Sequence, residues 1–63
     1  MVTHFSRACE LGAAKGCTEL AIVHYEGKVV KKDVERAISL LDRACKLGSE
    51  VGCKNLQLLR QRR

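Results

Sequence analysis

Apolar residues in the second half of the chain recur at helical spacing. From Asp33 to Leu47 they follow the i, i+3, i+4, i+7 pattern of one buried helix face: Val34, Ala37, Ile38, Leu41, Ala44 and Cys45. Asp33 is a suitable N-cap, although Arg36 rather than glutamate follows three residues later, so the cap is single-sided. Gly48 is a natural helix stop. The pattern therefore predicts a helix from Asp33 to Leu47.

Three further segments predict helices. The first is Val2 to Cys9, before Gly12, which looks like the tail of a similar helix. The second is Cys17 to Glu26, which ends at Gly27, and the third is Glu50 to Arg63, which has a charged end. No segment predicts a strand. The loops between these helices are short, at 12–15, 27–32 and 48–49, so neighbouring helices are expected to be antiparallel. The sequence predicts an all-α fold of about four helices.

The chain contains an internal repeat with a period of 36 residues. Over 7–20 and 43–56, eight of fourteen positions are identical. Periods of about 20–50 residues are typical of solenoids, in which each unit buries its apolar face against a neighbour. We expect one domain over 1–63 with less than two full repeats: 1–12 end a preceding unit, 13–48 form a full unit, and 49–63 begin the next and form a cap.

The length of 63 residues limits the chain to one domain with a small core. No apolar stretch approaches the roughly 20 residues of a membrane span, and the first sixteen residues lack the pattern of a signal peptide. Disorder is excluded because 46% of the residues are hydrophobic and they recur periodically. So small a core needs additional stabilisation, for which the four cysteines are the obvious candidates.

The cysteines form two Cys-x7-Cys pairs, Cys9 with Cys17 and Cys45 with Cys53. Residues eight apart in one helix lie about 12 Å apart, whereas a disulfide needs α-carbons within about 7 Å. Bridging therefore requires a chain reversal, and glycines occur where it is needed: Gly12, Gly16, Gly48 and Gly52. The repeat favours this local pairing among three possible connectivities. The alternatives are zinc binding, for which this spacing of two cysteine ligands is unusual, and buried free thiols.

Several motifs coincide at the repeat period. They are the Tyr-x-Gly turn at Tyr25, the Asp-x3-Ala helix start at Asp33, and the alanine–cysteine pairs followed by glycine–cysteine pairs. With these motifs the chain resembles the Sel-1-like repeat over nearly its whole length. It is most similar to the cysteine-rich bacterial branch typified by the Helicobacter cysteine-rich proteins.

The resemblance implies an α/α solenoid related to tetratricopeptide repeats. Each disulfide would join the second helix of one unit to the first helix of the next, and six residues would be packing and turn positions: Leu20, Tyr25, Gly27, Val30, Ala37 and Ala44. Ala21 and Val29 depart from the family pattern, because each stands where glycine is frequent. They suggest a slightly wider helix crossing and a stiffer loop.

Candidate catalytic residues are few. His24 and Tyr25 are neighbours on a predicted helix, so their side chains point about 100° apart and do not readily form one site. His4 lies near the terminus, and the serines lack a glycine elbow or a Ser-x-x-Lys pattern: Ser6, Ser39 and Ser49. We therefore predict no catalytic, metal or cofactor site and no enzyme. Some cysteine-rich family members are associated with β-lactam binding and weak hydrolysis, which is the alternative function.

The net charge of +5 raises the question of anionic partners. Two basic groups occur, one at Lys28, Lys31 and Lys32 and the other at Lys54, Arg60, Arg62 and Arg63. Such groups can bind phosphate backbones or anionic lipid. Acidic residues are interspersed and base-stacking aromatics are absent, so the pattern favours a solvated face and a polar C-terminal cap. No nucleic-acid or membrane partner is expected.

The function predicted from these features is a disulfide-stapled scaffold that binds a protein or peptide on a concave helix face. The contact candidates lie on the first helix of the full unit: Glu19, Ile22, Val23 and Glu26. Self-association through exposed repeat ends is a further possibility. Disulfides indicate a periplasmic or secreted location. A mitochondrial-type helical hairpin with twin cysteine pairs is disfavoured, because that class keeps its pairs inside helices.

Overall fold

Four helices make up the computed structural model, which describes residues 2–62. They are α1 (Val2–Glu10), α2 (Ala14–Glu26), α3 (Val34–Lys46) and α4 (Glu50–Arg62), and no strand occurs over these residues. The all-α fold of four helices is confirmed. The helices form a flat body of 28 × 27 × 13 Å, which is compatible with the α/α solenoid. Arg63, the last residue of the predicted cap, lies outside the described residues.

Two capping predictions are confirmed. The backbone N–H of Arg36 donates to the carboxylate of Asp33 at 3.0 Å, so Asp33 is the N-cap of α3. Gly27 ends α2 in the left-handed conformation, with φ of 67°, and its N–H donates to the carbonyl of Val23. The ends of the loop between α2 and α3 are therefore set by local turn chemistry.

The predicted start of α2 at Cys17 is wrong, because the helix already begins at Ala14. The loop between α1 and α2 is correspondingly shorter than the predicted 12–15 and consists of residues 11–13. As a result Gly16 lies inside α2, and Gly52 likewise lies inside α4. The expectation that these two glycines permit the chain reversals is also wrong, since they are helical residues.

The reversals depend on the other two glycines of the repeat. Gly12 has a φ of 92° and Gly48 a φ of 103°, which place both in the left-handed region. The N–H of Gly12 donates to the carbonyl of Cys9 and that of Ala13 to the carbonyl of Ala8, which together form a Schellman motif. The second turn repeats both bonds, each at 3.0 Å: Gly48 to Cys45 and Ser49 to Ala44.

The helical glycines instead allow two helix pairs to approach closely. A Cβ atom on Gly16 would lie 2.7 Å from the Cβ of Ala8 and 3.0 Å from the backbone nitrogen of Cys9. A Cβ atom on Gly52 would lie 2.8 Å from the Cβ of Ala44. The two Cβ–Cβ distances are too short for real atoms, so only glycine fits at these two contacts.

The core lies where α2 packs against α3, with α1 and α4 on either side. Its buried side chains are mostly leucine and alanine, joined by two cysteines: Cys9, Cys17, Leu20, Ala21, Ala37, Leu40, Leu41, Ala44, Leu56 and Leu59. Ala21 is fully buried, so the contact around it accommodates a Cβ atom. Val29, the other departure from the family pattern, is exposed in the loop between α2 and α3.

The two turns differ in one stabilising contact. In the second turn the hydroxyl of Ser49 accepts a hydrogen bond from the N–H of Gly52 at 2.9 Å and caps α4. The hydroxyl oxygens of Ser49 and Thr18 also lie 3.4 Å apart. Ala13 occupies the equivalent position before α2 and provides no side-chain cap. Ser49 is therefore a capping residue, a role that was not predicted from the sequence.

We expect Gly16→Ala to lower the free energy of unfolding by about 1–2 kcal/mol, because its Cβ overpacks the contact with Ala8. In an open helix position the same substitution would instead stabilise by about 1 kcal/mol. The sign of the change is therefore informative. Urea unfolding of the oxidised protein measures it, with Lys15→Ala on the exposed side of α2 as the matched control. An equal or higher stability of Gly16→Ala would contradict the close contact.

A pair of opposite substitutions tests the unequal caps. Ser49→Ala should destabilise the protein by about 1 kcal/mol through loss of the cap, and Ala13→Ser should stabilise it by a similar amount. Thermal unfolding of the oxidised variants measures both changes. If Ala13→Ser left the midpoint unchanged while Ser49→Ala lowered it, the effect of Ser49 would have to be assigned to its contact with Thr18 rather than to capping.

Candidate binding groove

Two disulfides join consecutive helices. Cys9–Cys17 links α1 to α2 and Cys45–Cys53 links α3 to α4, with Cα–Cα distances of 4.5 and 4.6 Å. This is the local pairing that the repeat favoured, and no cysteine is left free for zinc or as a thiol. Each disulfide lies next to the contact between a helical glycine and an alanine. The close approach of the backbones thus brings the two sulfur atoms within bonding reach.

An apolar groove lies between α2 and α4, with Leu41 of α3 among its walls. It has an open volume of about 250 Å³, and its walls are mostly aliphatic: Ala21, Ile22, Tyr25, Leu41, Asn55, Leu58, Leu59 and Arg62. Apolar walls with a few polar groups are typical of binding sites, which usually have volumes of about 300–1,000 Å³. The groove is therefore suited to one or two apolar side chains rather than to a large ligand.

The predicted contact residues are distributed over different surfaces. Ile22 lines the groove and is 36% exposed. Glu19 lines a separate hollow between α1 and α2, whose walls include Phe5. Val23 is half-buried and Glu26 is exposed, and neither is part of the groove wall. The structure thus places one of the four candidates in the groove.

The wall formed by α4 was missed by the sequence analysis. Asn55, Leu58 and Arg62 belong to it, and Leu58 is 48% exposed. The repeat contains a signal that could have identified this wall, because Leu58 stands 36 positions after Ile22. Equivalent positions on the first helices of successive units are expected to face the same side of a solenoid.

His24 and Tyr25 contribute to different surfaces, as predicted from their adjacent positions. Tyr25 lines the groove, and the Lys32 ammonium lies 5.5 Å from the centroid of its ring, a cation–π distance. His24 lies in a hollow formed with residues of the 27–33 loop, including Asp33. Its Nδ1 atom is buried and has no hydrogen-bond partner. The two side chains therefore do not form one proton-transfer site.

Asp42 forms two ion pairs, one within α3 and one between α3 and α4. Asp42 on α3 lies 3.1 Å from the Lys46 ammonium and 3.9 Å from the guanidinium of Arg60 on α4. Pairs as exposed as these contribute about 0–1 kcal/mol. Arg60 therefore has a carboxylate partner outside the groove, and Arg62 is the single charged residue of the groove wall.

The outward face of α4 differs from the equivalent face of α2. At positions 36 residues apart, three residues of α2 are replaced by lysine or glutamine: Thr18 by Lys54, Ala21 by Gln57 and Tyr25 by Gln61. Thr18 and Ala21 are buried, whereas Lys54, Gln57 and Gln61 are exposed and line a shallow hollow. Burying such polar groups without partners is unfavourable, so this face of α4 is less suited to packing against another helix than the equivalent face of α2.

The α1 end of the molecule is more apolar. A hollow on its outer face is lined by Ala8 and Leu11 together with three polar residues: Thr3, His4 and Arg7. The Leu11 side chain is 82% exposed. Its counterpart 36 residues later, Leu47, is 44% exposed. The two ends of the helix array are thus chemically different.

The fold and the groove define a small, disulfide-bridged all-α protein with an apolar cleft between two helices. No helix over residues 2–62 has the length and apolar character needed to cross a membrane. In the same part of the chain, no three side chains of His, Cys, Asp or Glu are placed to hold a metal ion. Two disulfides are compatible with an extracellular or otherwise oxidising compartment.

Comparison with known proteins found no matching family model, no matching curated protein and no matching solved structure.

The effect of the polar face of α4 on self-association can be tested by replacing its residues with their counterparts on α2. The triple variant Lys54→Thr, Gln57→Ala, Gln61→Tyr should self-associate more strongly than the unmodified protein, because its α4 can then stack on the apolar end of a second copy. Sedimentation velocity over a concentration series measures the association. Lys28→Thr with Ser39→Tyr is the matched control, since it changes the charge equally at exposed positions outside α4. Equal association of both variants would contradict a specific effect of α4.

Proposed function

We propose that this protein is a disulfide-stapled helical-repeat scaffold that binds a protein or peptide in the groove between α2 and α4. The observation that carries the proposal is the pair of aliphatic side chains, Ile22 and Leu58, which are partly exposed on opposite walls of the groove. Apolar area removed from water contributes about 25 cal/mol per Å². An apolar side chain of a partner would bury both walls at once.

The polar groups of the groove would provide orientation. Asn55 has both donors and an acceptor for the backbone of a bound peptide, and Tyr25 has a hydroxyl group. Within residues 2–62, neither the Asn55 side-chain amide nor the Tyr25 hydroxyl forms a hydrogen bond. Both walls belong to helices that are tied to their neighbours by disulfides, so binding requires little ordering of the protein.

The architecture that we propose is a Sel-1-like α/α solenoid. The support is the repeat itself: two turns 36 residues apart share the same hydrogen bonds, the same glycine contacts and the same disulfide. In this scheme residues 1–12 end one unit, 13–48 form a complete one, and 49–63 begin the next. We expect self-association, where it occurs, to use the apolar end at α1 rather than the polar face of α4.

We propose a periplasmic or secreted location on the basis of the two disulfides, which persist in oxidising compartments. The alternative function suggested by the family resemblance, β-lactam binding or hydrolysis, receives no support from the groove. None of the serines belongs to its wall: Ser6, Ser39 and Ser49. Nitrocefin turnover is the direct assay for that alternative.

Selection of phage-displayed random peptides on the oxidised, immobilised protein tests the proposal. Enriched peptides, synthesised with a fluorescent label, should bind the protein in an anisotropy titration. Ile22→Asp and Leu58→Asp should each weaken that binding by about tenfold or more, because central apolar contacts dominate interface energies. Both side chains are partly exposed, so the fold should tolerate these changes.

Val29→Asp is the matched control, because it makes the same chemical change at an exposed valine outside the groove. It should leave the affinity of the selected peptides unchanged. Equal losses in all three variants would contradict binding in the groove. Failure to enrich any peptide above the background of the Ile22→Asp protein would contradict the peptide-binding function.

A further inference from the structure

Each disulfide and the turn that it closes form a joint between two helices, the first at Cys9–Cys17 and the second at Cys45–Cys53. The two joints have the same backbone geometry but different exposure. Their turns share hydrogen bonds and glycine contacts, and their Cα–Cα distances differ by only 0.1 Å, from 4.5 to 4.6 Å. Cys9 and Cys17 are 3% and 0% exposed and belong to the core. Cys45 and Cys53 are both half-buried. The first disulfide is therefore more deeply buried than the second.

The position of each joint in the helix array explains this difference. Cys17 lies on α2, which is packed on one side by α1 and on the other by α3, with α4 touching it as well. Cys53 lies near the start of α4, the last helix of residues 2–62, which packs on α3 and has a small contact with α2. No further helix within residues 2–62 covers that side of the joint.

The charged residues near the two joints also differ. In the second joint each cysteine is followed by a lysine, Lys46 or Lys54, whereas Glu10 follows Cys9 in the first. Lys46 is paired with Asp42, and Lys54 is exposed. A thiolate that attacks a disulfide is an anion, and nearby positive charge also makes the departing thiol more acidic. Asp42 and Glu50 stand three residues before Cys45 and Cys53, so the charge near the second joint is mixed. Exposure therefore favours attack on the second joint, and Lys54 is the exposed cation whose effect can be tested.

We propose that Cys45–Cys53 is a redox-sensitive latch on α4, which a thiol reductant opens while the protein is folded and Cys9–Cys17 remains intact. A thiolate of the reductant bonds to one cysteine sulfur, the S–S bond breaks, and the other cysteine leaves as a thiolate that takes up a proton. A second thiol of the reductant then releases the first cysteine. The products are two cysteine thiols and one disulfide of the reductant.

Opening the latch would act on the groove, a consequence that rests on the proposed binding function. Half of the groove wall belongs to α4: Asn55, Leu58, Leu59 and Arg62. Without the disulfide, α4 is held by the burial of Leu56 and Leu59, by the Ser49 cap and by the exposed Asp42–Arg60 pair. Undocking of α4 would remove one wall, so reduction would weaken peptide binding.

Timed reduction of the folded, oxidised protein by dithiothreitol tests the latch without any ligand. Aliquots are alkylated with iodoacetamide and the modified cysteines are identified by peptide mass spectrometry. Cys45 and Cys53 should be alkylated about tenfold or more faster than Cys9 and Cys17, because a buried disulfide reacts only through local unfolding. In guanidinium chloride the two rates should become similar. Equal rates in the folded protein, or faster reduction of Cys9–Cys17, would overturn the proposal.

Two further measurements separate the causes and the consequence. Lys54→Glu should slow reduction of the second joint, and Lys54→Arg should preserve its rate; equal rates would eliminate the role of charge.

Hydrogen exchange of the partly reduced protein should show lost protection in 50–62 and retained protection in α2 and α3. Retained protection in α4 would overturn the latch. Failure of the peptide selection would leave this reduction order unaffected, so the two proposals fail separately.

Discussion

The close contact between a helical glycine and an alanine on the preceding helix is the constraint on which the rest of the structure depends. It occurs twice, between Gly16 and Ala8 and between Gly52 and Ala44. With a larger side chain at either glycine, the helix backbones would have to separate. The cysteines next to these contacts would then move apart from their Cα–Cα distances of 4.5 and 4.6 Å, which lie at the short end of the range that a disulfide spans. The turn, the close helix packing and the disulfide therefore depend on one another.

Because each joint ties a helix pair locally, the interface between α2 and α3 has to hold the two pairs together. It does so with side chains that include small alanines, among them Ala21 and Ala37, which are fully buried. The first helices of successive units, α2 and α4, touch only slightly, and the groove lies between them. The candidate binding site is therefore a consequence of how repeat units pack, with Leu41 of the intervening helix among its walls.

Two copies of one local motif have acquired different chemistry from their positions in the array. The inner joint is sealed by the helices on both sides, and the outer joint is half-exposed. The same contrast applies to the helix faces, since α2 presents Ala21 where α4 presents Gln57. Neighbouring structure, rather than the repeat motif, decides which disulfide is more exposed and which helix face is more polar.

The sequence by itself determined the four helices and part of the turn residues, because periodicity and capping act over a few residues, and the repeat favoured the local cysteine pairing. Asp33, Gly27 and Gly48 could be assigned from these local rules. Only the tertiary structure decided the role of Gly16, the membership of Leu58 and Arg62 in a groove with Ile22, and the unequal burial of the disulfides. Each of these depends on which face a neighbouring helix covers, and residues distant in the chain decide that.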